Sequence, residues 1–351
     1  MAHEQTSYRA WRITQPGNIN DNLELITTPR PSADSLGKRE LLVKVISAGI
    51  NKADWWPVEL GGVSRIMGSY PRSPGLDFSG RVVAVGRKVT DISPGDNVFG
   101  RMSPMKPGSL AEYVVASYDG VAVLPNGVSP RQAGAAGTAS LAAYQSIAPY
   151  VEAGDRVFIN GGSGGVGTFA VQVAKALGCH VTVTCSTAKV GLCRDLGADE
   201  VIDYKTVDVM DTLRQKGKVF AHVVDNVVGS PHDLFHPGCN QIMLPGRKRC
   251  YVSVGGGMNV DTWAHTTVGN SFLPFLGGSK HKWKPLLMEN SHEDFAQIAR
   301  WMGEGKLKTV IDSTFAFEEV SEAFSRLKKG SMAGKVVINV DADGAAEVEK
   351  E

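Results

Sequence analysis

The sequence predicts an α/β protein in two parts: a mostly β unit at the N-terminus, then a doubly wound parallel sheet with helices on both faces. Three observations point there. Val- and Ile-rich segments cut by Gly and Pro clusters fill residues 1–125. From Ser129 onward, strand and helix patterns alternate, which calls for crossover connections and a covered parallel sheet. Glycine is 40 of 351 residues, above the typical ~7%, and five of those glycines crowd one strand-to-helix loop, Gly161–Gly167.

The elements follow in chain order. Glu40–Ile50 (ELLVKVISAGI) and Leu76–Val85 (LDFSGRVVAV) read as strands, and Ser109–Ser117 alternates well enough for another. Tyr70–Gly75 and Ser93–Asp96 are turn clusters. Ser129–Ile147 is an Ala-rich helix pattern, with Ser129 as N-cap and Pro130 in the first helical position. Arg156–Asn160 and His180–Cys185 read as strands, each followed by a helix, Gly165–Leu177 and Thr187–Leu196. Glu200–Asp203, Phe220–Asp225 and Arg249–Val254 supply further strands. Glu293–Gly303 and Glu318–Lys329 are amphipathic helices. Lys335–Val340 is a closing strand that joins either the parallel sheet or the N-terminal unit. Asp341–Glu351 is acidic and is expected to fray.

Composition excludes several classes. With 37 Lys+Arg against 36 Asp+Glu, the net charge is +1, so nothing electrostatic favours nucleic acid or an anionic membrane. Five cysteines at irregular spacing, all between Cys179 and Cys250 and without a C-x-x-C, argue against a structural zinc site. The odd count and the absence of a signal-peptide pattern favour a reducing compartment. No run of about 18 apolar residues is present, so no membrane span is expected. The expected location is the cytoplasm.

The motif with the most chemical content is Asn160–Thr168, NGGSGGVGT. Gly162-x-Gly164-x-x-Gly167 follows a strand pattern and opens a helix pattern. That context lets backbone N–H groups approach a pyrophosphate at a helix N-terminus, so Ser163, Gly164, Gly165, Val166 and Gly167 are candidate cofactor contacts. A site for NAD places an acid after the second strand. Here the segment reads Thr184-Cys185-Ser186-Thr187-Ala188-Lys189. Ser186, Thr187 and Lys189 suit a 2′-phosphate, which favours NADPH; Ser186 can cap the next helix as well.

At this point the chain resembles the zinc-independent branch of the medium-chain dehydrogenase/reductases, the quinone oxidoreductase and enoyl reductase group. The motifs that carry the resemblance are Gly49–Asp54, Ser73–Asp77, Pro94–Val98, the glycine loop, Val224–Val227 and Gly334–Val337. The Asp225-Asn226 pair and the closing AGKVVINV look especially like the reticulon-4-interacting-protein type, and fungal stand-alone enoyl reductases that serve polyketide synthases share the layout. The resemblance implies a GroES-like β-barrel domain over residues 1–125 and an NADP-binding Rossmann domain over 126–282. It implies that residues 283–351 return to the first domain and that the active site lies in the cleft. It also implies cofactor contacts at Asn51, Asp54, Tyr204, Asn226, Val254, Gly255, Gly334 and Lys335. Taken alone, Tyr204 reads as a half-buried surface tyrosine.

Zinc-dependent relatives carry Cys where this chain has Asn51 and His-Glu where it has Leu76-Asp77. Leu76 cannot ligate and Asn51 ligates poorly, so no metal is expected. Hydride addition to an activated C=C is the matching chemistry, with donors in the cleft holding the enolate oxygen. Many relatives carry a Tyr just after the Asn51–Asp54 motif; this chain has Trp55-Trp56. An indole is no practical general acid. The catalytic candidates are therefore Asn51, Lys52, Tyr70 and Thr138, with solvent as another proton source. Lys52 reads equally as a solvated lysine, and Thr138 as a helix-interior residue. Trp55, Trp56, Phe272 and Phe275 are either walls of an apolar substrate pocket or ordinary packing. Lys280–Lys284 (KHKWK) is either a solvated loop or a patch for a thioester phosphate or an acidic acyl carrier protein. Candidate substrates are an enone, an enoyl thioester or a quinone. Monomer and homodimer both remain open, and so does an NADPH-binding protein without turnover.

Overall fold

The computed structural model describes residues 6–66, 68–104, 106–227, 234, 238–246, 249–254 and 281–348. The chain divides into two units, Met1–Leu141 with Glu289–Glu351, and Ala142–Met288.

The first unit begins with β1 (Ser7–Ile13) and β2 (Leu23–Pro29), an antiparallel ribbon. Then come β3 (Glu40–Ile50), β4 (Asp77–Val85), β5 (Asn97–Arg101), β6 (Tyr113–Ser117) and β7 (Val121–Val123). β3 is the organising strand: it pairs antiparallel with β4 and with β6. All its residues from Leu41 are buried except Lys44, because both its faces are covered. One cover is the helix Pro130–Gly134, packed so closely that a Cβ on Gly49 would lie 2.6 Å from the Ala135 Cα. Phe78, Leu41, Val43, Val45, Ile50 and Val98 form the heart of this core.

The second unit holds β8 (Arg156–Asn160), β9 (His180–Cys185), β10 (Glu200–Asp203), β11 (His222–Asp225), β12 (Cys250–Ser253) and β13 (Lys282–Pro285). All pairings are parallel, in the order β10-β9-β8-β11-β12-β13. Numbered from β8, this is the 3-2-1-4-5-6 order of a dinucleotide-binding sheet, and its direction of winding reverses between β8 and β11. Such sheets bind ligands at the carboxyl ends of the strands beside that reversal. The helix Gly165–Ala176 follows β8 and is buried along most of its length. Phe158, Phe220 and Tyr251 anchor the core on the other side.

The C-terminal segment closes the first unit. β14 (Ile311–Ala316) pairs parallel with β15 (Lys335–Asn339), and β15 pairs antiparallel with β3. The amphipathic helix Val320–Lys328 buries Val320, Ala323 and Phe324 in the first unit's core.

Four local expectations change. The helix pattern Ser129–Ile147 is two helices, Pro130–Gly134 and Gly137–Ile147. The chain steps between them because Gly137 is pressed against the Gly100 carbonyl, where a Cβ would lie 2.3 Å away. Thr187–Leu196 starts as a tight turn, Thr187–Lys189, before the helix Val190–Asp195. Within the basic cluster, Lys282–Pro285 is an edge strand rather than a loop: Trp283 packs on the core while Lys282 and Lys284 face out. The acidic tail forms a helix, Ala342–Val348. Its start is held by Asp341, which accepts from the Gly344 N–H at 3.0 Å and pairs with Lys44 at 2.6 Å.

Candidate functional site

The second unit supplies a cradle at the carboxyl ends of five neighbouring strands. After β8 comes the glycine loop, after β9 Ser186–Lys189, after β10 Tyr204, after β11 Asn226, and after β12 Val254. Each glycine of the fingerprint has its own reason. A Cβ on Gly162 would lie 1.9 Å from the Val183 Cγ2, and one on Gly167 would lie 2.0 Å from the Gly161 carbonyl. Those two serve close packing of loop, strand and helix. Gly164 instead faces open space, with nothing within 4 Å of its would-be Cβ. It caps the helix Gly165–Ala176 without any side-chain hydrogen bond. The first N–H groups of a helix lack intrahelical partners, so this end is ready for an anion.

A buried polar network holds the loop in place. The Gly161 N–H donates to Thr184 Oγ1 at 2.8 Å, and the Gly162 N–H donates to the Thr184 carbonyl at 2.8 Å. Thr184 Oγ1 donates to Asn160 Oδ1 at 2.6 Å, and Asn160 Nδ2 donates to Asp225 Oδ1 at 2.9 Å. Tyr251 completes it by donating to Asp225 Oδ2 at 2.5 Å. Burial first, then the Asp225 charge, hold the Tyr251 hydroxyl well above the usual tyrosine range, so it stays a donor. Sequence reading missed this network. Its signal was the polar residues Asn160, Thr184 and Asp225 at the ends of otherwise apolar strands.

Next to the loop, the Asn226 amide is buried, and neither its nitrogen nor its oxygen has a partner among the described residues. An unpaired buried amide calls for a partner, and a bound dinucleotide would provide one. Ser186, Thr187 and Lys189 make no side-chain hydrogen bond or ion pair among the described residues, and Tyr204 is exposed beneath the Lys205 ammonium. These residues fit a dinucleotide. Gly255, Phe272 and Phe275 lie outside the described residues.

The first unit gathers a second cluster around Asp77, which is fully buried at the start of β4. Asp77 Oδ2 accepts from Asn51 Nδ2 at 3.0 Å and from Lys335 Nζ at 3.1 Å, while Oδ1 accepts from the Thr138 N–H at 2.6 Å. The Lys335 ammonium also donates to Asn51 Oδ1 and to the Ile50 carbonyl. Asp54 Oδ2 accepts from the Asn51 N–H at 2.6 Å. Burial first, then the Asp77 charge, push the Asp54 carboxyl up to about 7. Asn51, Asp54, Thr138 and Lys335 thus come together around Asp77. Asp54 is buried as the cap of Asn51, and the three Lys335 donors are spent on three protein acceptors.

The other candidates sit nearby in sequence. Lys52 Nζ lies 5.7 Å from the Trp56 ring, and partial burial lowers its ammonium below the usual lysine range. Tyr70 and the buried Ser64 share a 2.5 Å hydrogen bond. Trp55 packs against the first unit's core with the Lys328 ammonium 5.2 Å from its ring. The Thr138 hydroxyl is buried without a partner among the described residues.

Known proteins fit both halves. A model of the alcohol dehydrogenase GroES-like domain matches residues 37–126, and a model described as zinc-binding dehydrogenase matches residues 196–338. A trans-enoyl reductase of Aspergillus terreus is 40% identical, with 96% of this chain and 97% of that protein covered. This chain belongs to the medium-chain dehydrogenase/reductase family. A chloroplastic quinone-oxidoreductase homologue of Spinacia oleracea is 32% identical over 89% of this chain and 92% of its own length. The solved quinone oxidoreductase of Coxiella burnetii superposes with a TM-score of 0.79 at 28% identity, covering 95% of this chain and 99% of that one. As a medium-chain dehydrogenase/reductase of the quinone-oxidoreductase and enoyl-reductase type, this chain is an oxidoreductase with a nicotinamide-dinucleotide fold.

The second family model carries zinc in its name, and these residues do not fit the metal. Leu76 has no ligating atom, Asn51 is a neutral amide, and both Asp77 oxygens are taken by Asn51, Lys335 and Thr138. A lysine ammonium already supplies the positive charge at this spot. No helix among the described residues is long and apolar enough to cross a membrane.

Proposed function

We propose that this medium-chain dehydrogenase/reductase uses NADPH to place hydride on the β-carbon of an α,β-unsaturated carbonyl, without zinc. The observation that carries this reading is the neutral Asn51 amide pinned between Lys335 and Asp77. An oxygen gaining charge there meets a hydrogen-bond donor and no Lewis acid. An alkoxide is too basic to be held well that way. An enolate is far less basic, and N–H donors suffice. The trans-enoyl reductase among the relatives supports an enoyl substrate, a free thioester or one carried by an acyl carrier protein.

Bound NADPH would supply the hydride. The backbone from Ser163 to Gly167 would hold the pyrophosphate, and Ser186, Thr187, Lys189 and Tyr204 the 2′-phosphate. Asn226 and Val254 would border the nicotinamide. Asn51 donates to the carbonyl oxygen as it becomes an enolate oxygen. Lys52 holds the proton for the α-carbon: it follows Asn51 directly in the chain, and partial burial lowers its ammonium below the usual lysine range. Tyr70, already hydrogen-bonded to Ser64, is the second proton store.

The test is NADPH oxidation against enones, free and carrier-bound enoyl thioesters, quinones and primary alcohols with NADP⁺. Turnover should be fastest with the enoyl compounds, absent with alcohols, and unchanged after dialysis against a chelator. Preference for quinones would replace the reading with quinone reduction. Tight NADPH binding with no turnover on any compound would leave a binding protein instead.

A further inference from the structure

We infer that Lys335 is a positioning residue: its ammonium fixes which way the Asn51 amide points, and so presents one Asn51 N–H to the substrate oxygen. This rests on the enone-reductase reading above. The argument begins with what Lys335 can reach. It opens β15 and is almost fully buried, 2% exposed, against the fully buried Asp77. An ammonium has three donors. Here the acceptors are the Ile50 carbonyl, Asn51 Oδ1 and Asp77 Oδ2. Nothing is left for a ligand, so any effect on catalysis passes through a neighbour.

That neighbour is Asn51. An amide has two faces of opposite polarity, and a free Asn can present either by a half-turn of its side chain. In this site the turn is forbidden by charge. The observed orientation puts Oδ1 on the ammonium and Nδ2 on the Asp77 carboxylate. Reversal would put the NH₂ against the ammonium and the C=O against the carboxylate, two repulsions in a site with little water to screen them. The backbone is held as well, because the Asn51 N–H donates to Asp54. One Nδ2 hydrogen goes to Asp77. The other has no protein acceptor among the described residues, and Asn51 is only half-buried, so this N–H is available to a ligand. Pre-aimed donors of this kind act on the developing negative charge of a transition state.

The test uses Lys335→Met, Asn51→Ala, their double variant, and the charge-neutral pair Lys335→Met/Asp77→Asn. The neutral pair guards against a fold that collapses when one buried charge is left alone. Lys335→Met should lower kcat for enone reduction by about 10²-fold, with KM and NADPH affinity changed by less than about threefold. The neutral pair should lose kcat in the same way. Lys335→Met/Asn51→Ala should be no slower than Asn51→Ala alone, because both changes remove one device. Lys335→Arg, which keeps the charge, should recover part of the rate. A second readout needs no turnover: the Asn51 side-chain NH₂ signals, assigned in ¹⁵N-labelled protein by their loss in Asn51→Ala. Two well-separated proton shifts should collapse toward the values of a freely turning amide in Lys335→Met and in the neutral pair. Unmoved NH₂ signals overturn the inference, and so do additive rate losses. If the parent protein reduces no enone, the functional reading fails, and the NH₂ signals still decide whether Lys335 orients Asn51.

Discussion

Asn160 and Asp225 end two neighbouring parallel strands in register, and the Asn160 amide, where β8 leads into the glycine loop, donates to the Asp225 carboxylate at 2.9 Å. The pair links three strands, because Thr184 on β9 donates to the other end of the same Asn160 amide at 2.6 Å. Thr184 therefore joins the loop backbone to this network.

Thr184→Val keeps the shape of the side chain and removes the hydroxyl. It takes away the hydroxyl that accepts from the Gly161 N–H and the hydrogen bond that this hydroxyl gives to Asn160 Oδ1. A buried polar group left unpaired costs about 1–3 kcal/mol. Thermal unfolding should show a loss of that order. NADPH affinity, followed by fluorescence titration, should fall by about tenfold, since the loop backbone would no longer be held in its binding geometry. Unchanged affinity with full loss of stability would separate the network from the binding site.

The Asp54 carboxyl gives stability a distinct pH dependence. Burial first, then the Asp77 charge, raise it from 3.8 to about 7, while the Asn51 N–H, Lys335 and the Gly75 N–H hold it back. Arg101 also feels both carboxylates. The folded state then binds a proton that the unfolded state has already released. Its contribution is fully present below about pH 4 and is lost as pH rises through 7. The full span is on the order of 4 kcal/mol. Asp54→Asn should flatten the stability profile between pH 5 and about 8 relative to the parent. Parallel profiles for both proteins would show that Asp54 does not titrate there.

What was legible in the sequence was what is local. The glycine loop shows itself because Gly162, Gly164 and Gly167 act within one turn, and Asn51 stands in a short motif whose relatives carry a metal ligand there. The alternation after Ser129 showed the parallel sheet for the same reason. The partners of those residues were not legible. Lys335 meets Asp77 across 258 positions of chain, so no spacing rule connects them. The step at Ala135 depends on how close Gly137 comes to Gly100, which is a matter of packing between distant segments. The density of charge also misled at Lys282–Lys284, where two lysines that read as a solvated loop flank a core-side tryptophan on an edge strand.

His222 gives the opposite pH behaviour in the second unit. It is fully buried, its Nε2 lies 2.7 Å from the Ser146 carbonyl, and its ring stacks on Tyr150 at 5.2 Å. Burial pulls its pKa down to about 4, so the folded state holds it neutral. The unfolded state protonates first, near 6.5. Stability from this group is present above that value and is lost as pH falls toward 4. The parent should lose roughly 3 kcal/mol across that window. His222→Leu should start lower, for want of the Ser146 bond, and then fall less steeply on acidification. An equal slope in both proteins would place the acid sensitivity elsewhere.

The choice between NADPH and NADH rests on Ser186–Lys189. The Lys189 ammonium has no ion-pair partner among the described residues, and the Ser186 and Thr187 hydroxyls make no side-chain hydrogen bond there. A 2′-phosphate would engage all three, and one charged contact of this kind is worth about 1.5–3 kcal/mol. Lys189→Ala should therefore weaken NADPH by roughly 10–100-fold and leave NADH within about twofold of the parent. Tyr204→Ala should act in the same direction with a smaller effect, since its exposed ring offers one hydroxyl and a flat face. Titration of each variant with both cofactors separates a lost phosphate contact from a distorted loop, because distortion weakens both alike. Equal losses for NADH and NADPH in Lys189→Ala would remove the 2′-phosphate assignment, and with it the NADPH preference.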